Sequence, residues 1–233
     1  MNTAISNPIE LVIFDLDGTL IDSAPGIVAS TNKLITTHGY TPLPAERITR
    51  AIGEGLMELI HECFPAVFQN ESERERIGRE FYRLYKENML HETTVFPGVF
   101  DFLSTTAQKV AIVTNKYEDL THVTLKALGL ERFPWIKVFG ADSLAERKPS
   151  PLPLFEVMRA AGVTARQTVM VGDGLPDMEA ARRAGVHSIG CTYGYCAAEK
   201  LQDAGATTLI QSAQELPIAL DTISRLAPRN PLV

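Results

Sequence analysis

Apolar residues along this chain follow two rhythms. In the first, Leu11-Val12-Ile13-Phe14, Lys109-Val110-Ala111-Ile112-Val113-Thr114, Trp135 to Phe139 and Thr168-Val169-Met170-Val171 form short, β-branched runs. Such runs read as strands buried on both faces, as in a parallel sheet. Between and after them lie stretches of helical character: Val99 to Thr106, Tyr117 to Leu128 closed by Gly129, Pro151 to Ala161 with Gly162 at its end, and Leu175 to Ala184 stopped by Gly185. Val186 to Gly190, Ala197 to Ala204, Thr207 to Ile210 and Ala213 to Leu220 continue the alternation. Strands alternating with helices of this length predict βαβ units, an α/β fold with a parallel sheet and helices on both faces.

The second rhythm occupies residues from about 24 to 90, which carry helical signals and no convincing strand. Ile27, Ser30, Leu34 and Ile35 fall at helical spacing, and His38-Gly39 ends that run. Pro44 to Ile52 predicts a short helix stopped at Gly53, and Leu56, Leu59, Ile60 and Phe64 form another apolar stripe. Glu71 to Met89 is heavily charged, with Ile77, Phe81, Leu84 and Tyr85 on one face, so its charges read as a solvated surface. A helical block after a single strand predicts a small inserted domain. Its limits fall near Asp22 and near the turn signal Phe96-Pro97-Gly98.

Composition narrows the class. The chain has 233 residues, 45% hydrophobic and 21% charged, the balance of a soluble globular protein. A net charge of -6 argues against a nucleic-acid partner, which would call for a basic face. An anionic substrate must therefore be drawn in by local cations. Cys63, Cys191 and Cys196 make an odd count without a metal-ligand pattern, which fits reduced thiols in a cytoplasmic protein. Met1 to Glu10 lacks the layout of a signal peptide, and no apolar run reaches membrane-spanning length. The Pro-rich tail, Ala227 to Val233, is expected to fray.

The candidate chemistry sits where the predicted strands end, the edge at which open α/β sheets bind ligands. The first strand runs into Asp15-Leu16-Asp17-Gly18-Thr19-Leu20. Asp15 and Asp17, two residues apart, can approach one pocket, and Gly18 permits a sharp turn. Acids that close repel one another, and a hard divalent cation such as Mg2+ removes the conflict. The strand at 109–113 ends in Thr114-Asn115-Lys116, and that at 168–171 in Gly172-Asp173-Gly174-Leu175-Pro176-Asp177. Lys148, before Pro149, adds a second cation. Taken singly, each has a plainer reading: Asp-Gly turn, strand-end cap, surface lysine, helix N-terminal acid.

Together these residues resemble the haloacid dehalogenase superfamily along nearly the whole chain. Asp15-Leu16-Asp17-Gly18-Thr19-Leu20 matches its first motif, Thr114 the second, Lys148 the third, and Gly172-Asp173 with Asp177 the fourth. Thr114-Asn115-Lys116, Lys148-Pro149-Ser150-Pro151 and Ile189-Gly190-Cys191-Thr192-Tyr193-Gly194-Tyr195 look like the phosphoglycolate phosphatase branch. One departure is Gly174, where many relatives place Ser, Thr or Asn.

The resemblance implies a Rossmann-like core over residues 1–21 and 91–233 and a helical cap over 22–90. It implies Asp15 as nucleophile, Asp17 as general acid and base, and Thr114 and Lys148 as phosphoryl-binding and charge-neutralising groups. Asn115, Lys116 and Gly18 would contact substrate. Mg2+ would be held by Asp15, by Asp17 through its main-chain carbonyl, and by Asp173, with Asp177 positioning the shell. The implied partner is a small phosphorylated metabolite, with no nucleic acid or membrane, and the chain itself is expected to be a monomer or a homodimer. The retained Asp17 separates the chain from dehalogenases, which have no leaving alcohol to protonate. Neither Lys33 nor Lys86 stands in the context of a phosphonatase's Schiff-base lysine. A mutase of the β-phosphoglucomutase type and a phospho-receiver module remain as alternatives. Gly53-Glu54-Gly55 reads equally as a turn facing the site or a plain helix break.

Overall fold

β1 (Leu11–Phe14) lies at the middle of the molecule because every one of its side chains is apolar and every one is buried. A computed structural model of the chain describes residues 8–63, 71–227 and 229. Phe64 of the expected stripe, residues 1–7 and the tail beyond Arg229 lie outside the described residues. β1 pairs in parallel with β4 (Lys109–Val113) on one side and β6 (Thr168–Gly172) on the other. β5 (Trp135–Phe139), β7 (His187–Cys191) and β8 (Thr208–Ile210) complete a six-stranded parallel sheet in the order β5-β4-β1-β6-β7-β8.

Alternation along the strands divides the core into two layers. Val12, Phe14, Val110, Ile112, Val169 and Val171 face α5 (Val99–Thr105) and α10 (Leu216–Ser224). Leu11, Ile13, Ala111, Val113 and Met170 face α7 (Leu152–Ala161) and α8 (Leu175–Ala184). α6 (Glu118–Ala127) and α9 (Ala198–Asp203) fill the remaining crossovers. Helices on both faces of a parallel sheet are what the alternating pattern predicts.

Residues between β1 and β4 build a separate apolar cluster. α1 (Ala24–Thr37), α2 (Ala45–Thr49), α3 (Leu56–Cys63) and α4 (Glu71–Asn88) bury Ile27, Leu34, Ile35, Ile48, Leu59, Ile60, Ile77, Phe81, Leu84 and Tyr85 together. Leu120 of α6 joins this cluster, so the helical unit rests on the sheet domain at that point. The chain leaves through β2 (Ile21–Asp22) and returns through β3 (Thr94–Val95), which pair antiparallel. This two-residue pair carries no periodicity and was not legible in the sequence. No helix among the described residues is long and apolar enough to cross a membrane, and all three cysteines are free thiols.

His187 opens β7 at the sheet's opposite end from the acids, its ring 3.1 Å from the Ala227 carbonyl and 3.3 Å from Thr207 Oγ1. Burial pushes its pKa down, with Arg229 acting in the same sense and the Ala227 carbonyl opposing. The unfolded chain binds this proton near pH ~6.5. The contribution of the neutral ring is therefore present above that pH and lost as pH falls through the lower folded value. Between pH 7.5 and 5.5, thermal melts are expected to show a steeper loss of Tm for the wild type than for His187→Gln; equal slopes would refute the assignment.

Candidate active site

The acids converge because two neighbouring strands, β1 and β6, end at one edge. Asp15 follows β1 directly, and its N–H donates to the Val171 carbonyl of β6 at 2.9 Å. Asp173 follows β6, and Asp177 lies in the first turn of α8. Pro176 at the start of α8 needs no N–H partner there. Oxygens of Asp15, Asp173 and Asp177 all lie within 4.8 Å of one another, and all three residues are buried. Gly18, at φ +83°, makes this approach possible: a Cβ there would fall 2.2 Å from Asp173 Oδ2.

Lys148 is the cation at this cluster. It is 2% exposed, and its Nζ lies 2.9 Å from Asp15 Oδ1 and 2.5 Å from Asp177 Oδ1. Burial alone would lower its pKa, but Asp15 and Asp177 outweigh burial and raise it. One lysine does not balance three carboxylates. Burial first, then Asp15 and Asp177, drives the Asp173 pKa well above the usual range. Asp177 is pushed up to about 7 by burial and Asp15, against the pull of Lys148. Asp173 accepts from Thr19 Oγ1 at 3.0 Å and from the Tyr195 N–H at 2.8 Å. Asp177 Oδ2 accepts from the Gly174 N–H at 2.9 Å. Gly174 thus supplies a main-chain donor as the residue preceding α8, and the missing side chain leaves that contact intact.

Asp17 is partnered differently. Its carboxylate takes Lys116 Nζ at 3.0 and 3.2 Å and Ser23 Oγ at 2.5 Å. Its carboxylate is not one of the three gathered acids, consistent with the expectation that its main-chain carbonyl is the atom directed to a metal. Lys116 also bonds Tyr85 Oη of α4 and lies 4.7 Å over the Tyr85 ring. Asp17 and Tyr85 hold the Lys116 pKa up even though burial opposes them. Burial pushes the Tyr85 hydroxyl up to about 12, so it stays protonated beside this lysine. Helical spacing marks Tyr85 as a buried face of α4 but carries no sign of its bond to Lys116, 31 positions away, and nothing in the pattern singles out Ser23.

Thr114 follows β4, where its N–H donates to the Phe139 carbonyl at 2.9 Å. Its Oγ1 accepts from the Lys116 N–H at 3.3 Å, which leaves the hydroxyl proton free to donate to a ligand. The Asn115 amide donates to the Lys148 carbonyl at 3.1 Å and to the Gly53 carbonyl at 3.0 Å. Gly53-Glu54-Gly55 therefore faces the site. Gly53 and Gly55 line one cavity with Asp15, Asp17, Thr114, Asn115 and Lys116, roofed by Ile27, Ile52, Leu56, Leu59, Phe81 and Tyr85. Arg147 beside Lys148 reaches Glu58 of α3 at 2.9 Å, a further contact between the sheet domain and the helices. Lys33 and Lys86 are half-exposed, paired with Glu87 and Asp119 away from the cavity.

Residues 12–191 match the family model described as haloacid dehalogenase-like hydrolase. A phosphoglycolate phosphatase of Chromobacterium violaceum is 37% identical over 214 residues, covering 89% of this chain and 95% of that one. A phosphoglycolate phosphatase of Pseudomonas fluorescens is 34% identical over 226 residues, covering 93% and 82%. The crystal structure described as a predicted phosphoglycolate phosphatase from Haemophilus somnus aligns with a TM-score of 0.83 at 26% identity, covering 90% of this chain and 97% of that one. A family match over the strand ends that carry Asp15, Thr114 and Asp173, with relatives this similar along nearly the full length, makes the chain a member of the haloacid dehalogenase-like hydrolases.

Proposed function

We propose that this chain is a Mg2+-dependent phosphatase that releases phosphate from a small phosphate monoester through an aspartyl-phosphate intermediate. The observation that carries the reading is the buried cluster of Asp15, Asp173 and Asp177 around one lysine, at the carboxyl edge of the sheet and under a helical roof. Its relatives' names make phosphoglycolate the first substrate to test.

Three carboxylates with the charge of a single lysine fit a hard, oxygen-liganded divalent cation. Asp15, Asp173 and the Asp17 carbonyl would hold it, with Asp177 supporting the shell through Lys148 and Gly174. When bound, Mg2+ supplies charge neutralisation to the phosphoryl oxygens.

The chain's own groups account for the steps. Asp15 attacks phosphorus, and the bond to the leaving oxygen breaks as Asp17 delivers a proton to it. A water then attacks the aspartyl-phosphate, Asp17 takes its proton, and the Asp15–phosphorus bond breaks to free phosphate. Lys148, already beside Asp15, lowers the repulsion between the carboxylate and an incoming phosphate dianion. Thr114 Oγ1 and the Asn115 main-chain amide bind phosphoryl oxygens; the Gly18 N–H, expected to join them, donates instead to the Ile21 carbonyl at 2.8 Å, so Gly18 serves the site through its turn. Lys116 orients Asp17 and faces the substrate cavity. Residues 22–90 act as a cap over the core formed by 1–21 and 91–233, excluding water and receiving the leaving group.

Purified protein with Mg2+ is expected to release phosphate from phosphoglycolate and p-nitrophenyl phosphate, and chelation with EDTA is expected to stop it. An isomerised sugar phosphate without free phosphate would point to a mutase instead. Asp15→Asn is expected to lower kcat by about 10^3-fold or more while the protein still folds, since a covalent step is removed. Retained turnover would refute the nucleophile. Gly194→Ala supplies a second check, because its Cβ would lie 2.4 Å from Asp173 Cβ and 2.5 Å from the Gly18 carbonyl. Displacing Asp173 is expected to weaken apparent Mg2+ affinity by about 10-fold or more, read from the Mg2+ dependence of phosphate release.

A further inference from the structure

The mechanism leaves Thr192-Tyr193-Gly194-Tyr195, the segment after β7, without a part. Its contacts fall in two places. At the acid cluster, Gly194 lies against Asp173, and the Tyr195 N–H donates to Asp173 Oδ2 at 2.8 Å. At the crossing between the sheet domain and the helices, the Tyr195 hydroxyl accepts from the Ser23 N–H at 2.8 Å and the Ala24 N–H at 3.1 Å, and donates to Asp22 Oδ1 at 3.0 Å. These amides open α1, and a helix start needs acceptors for its free N–H groups. Ser23 precedes that helix but offers it no side-chain cap, because its hydroxyl is bonded to Asp17. Tyr195, from 171 positions further along the chain, shares the place of the missing cap with Asp22, whose Oδ1 also accepts from the Ala24 N–H at 3.2 Å.

Tyr193 braces the other half of the same crossing. Its hydroxyl donates to the Thr19 carbonyl at 2.9 Å, and its ring packs edge-on against Phe96 with centroids 4.9 Å apart. The Phe96 N–H donates to the Leu20 carbonyl at 3.0 Å, beside the β2–β3 pair where the chain returns. Both passages of the chain between the two units are thus tied to a four-residue segment whose other end holds Asp173.

We propose that Tyr195 is a positioning residue coupling the acid cluster to the β2–β3 crossing, so that cation binding and a closed cap stabilise each other. The proposal rests on the reading that Asp15, Asp173 and Asp177 hold a divalent cation. A cation fixes Asp173, Asp173 fixes the Tyr195 main chain, and the Tyr195 hydroxyl then fixes the start of α1. Coupling of this kind is reciprocal: whatever closure adds to cation affinity, the cation returns to closure.

Tyr195→Phe keeps the ring and the main-chain N–H on Asp173 and removes only the hydroxyl. Mg2+ affinity by calorimetry and amide exchange at Thr94, Val95 and Phe96, none of which bonds Tyr195, read the two ends separately. In the wild type, Mg2+ is expected to slow exchange at these three amides. In Tyr195→Phe that Mg2+-dependent protection is expected to disappear, and the Kd for Mg2+ to rise about 5-fold or more, although no cation ligand is altered. Asp22→Asn, which weakens the same hydroxyl contact, is expected to shift both readouts in the same direction and serves if Tyr195→Phe does not fold. A folded variant with wild-type Mg2+ affinity and wild-type protection would overturn the coupling. So would a fall in Tm with the Mg2+ dependence of exchange unchanged, the mark of a merely structural hydroxyl. Wild-type protein that binds Mg2+ without protecting 94–96 sinks the coupling alone, whereas protein that binds no divalent cation sinks the cation reading with it.

Discussion

Three buried carboxylates meet one lysine at the carboxyl edge of the sheet, and most of the molecule's polar organisation answers to that imbalance. A buried charge costs several kcal/mol unless it is paired and hydrogen-bonded. Lys148 serves Asp15 and Asp177. Main-chain donors at Gly174 and Tyr195 and the Thr19 hydroxyl serve Asp177 and Asp173. These contacts lower the acids' pKa values, yet burial and mutual repulsion prevail at both Asp173 and Asp177. The sheet is well packed on either side, with Phe14 and Ile13 wholly buried in opposite layers. The conflict is therefore confined to the strand ends, where a bound divalent cation would relieve it. A site that breaks a rule of stability inside a fold that otherwise obeys it is the signature of function.

Asp17 sits two residues from Asp15 yet belongs to a different charge environment. Lys116 and Ser23 hold its carboxylate, while Asp15 lies with Lys148. Two lysines thus keep the two acids distinct, which is what separate roles as nucleophile and as proton carrier require. Lys116 in turn bonds Tyr85 on α4, so the partner of Asp17 is partly set by the helical unit above it. The Asn115–Gly53 and Arg147–Glu58 contacts bridge the same gap. These ties between the two units begin at or beside a site residue, so the position of the roof and the geometry of the acids are not independent.

The sequence showed the sheet because its strands are short apolar runs ending in polar residues, and burial on both faces leaves no other reading for them. It showed Asp15, Thr114 and Asp173 because each directly follows such a run, and Lys148, in the loop after β5, because it fits the same pattern of motifs. It named Tyr85 only as a buried helix face and Tyr195 only within a branch motif, and it did not show the contacts that these residues, Ser23 and Arg147 make. Those residues act across gaps of 31 positions for Tyr85 and Lys116 and 172 for Ser23 and Tyr195, distances over which local patterning carries nothing. Asp17 illustrates the boundary between the two cases. Extended-chain alternation predicts that it shares the pocket of Asp15, and both line the same cavity. The strand ends at Phe14, however, and the turn that follows, with Gly18 at positive φ, sends the Asp17 carboxylate to another lysine.

The cavity's lining constrains the leaving group more tightly than the acid cluster does. Ile27, Ile52, Leu56, Leu59, Phe81 and Leu120 give it an apolar wall, and Lys116 is the one cation among its lining residues. That lysine already carries Asp17 on one side and Tyr85 on the other. A leaving group with its own negative charge, entering this closed arrangement, meets a cation only by competing with Asp17 for it. Competition would loosen the lysine's hold on the general acid at the moment the leaving oxygen needs a proton, and removing an opposite charge makes a carboxyl easier to protonate. An uncharged leaving group finds apolar contact and leaves that ion pair intact. In the proposed mechanism, substrate charge and the protonation of Asp17 would therefore be linked through Lys116, and the ranking of charged against neutral phosphate monoesters would be set in part at that lysine.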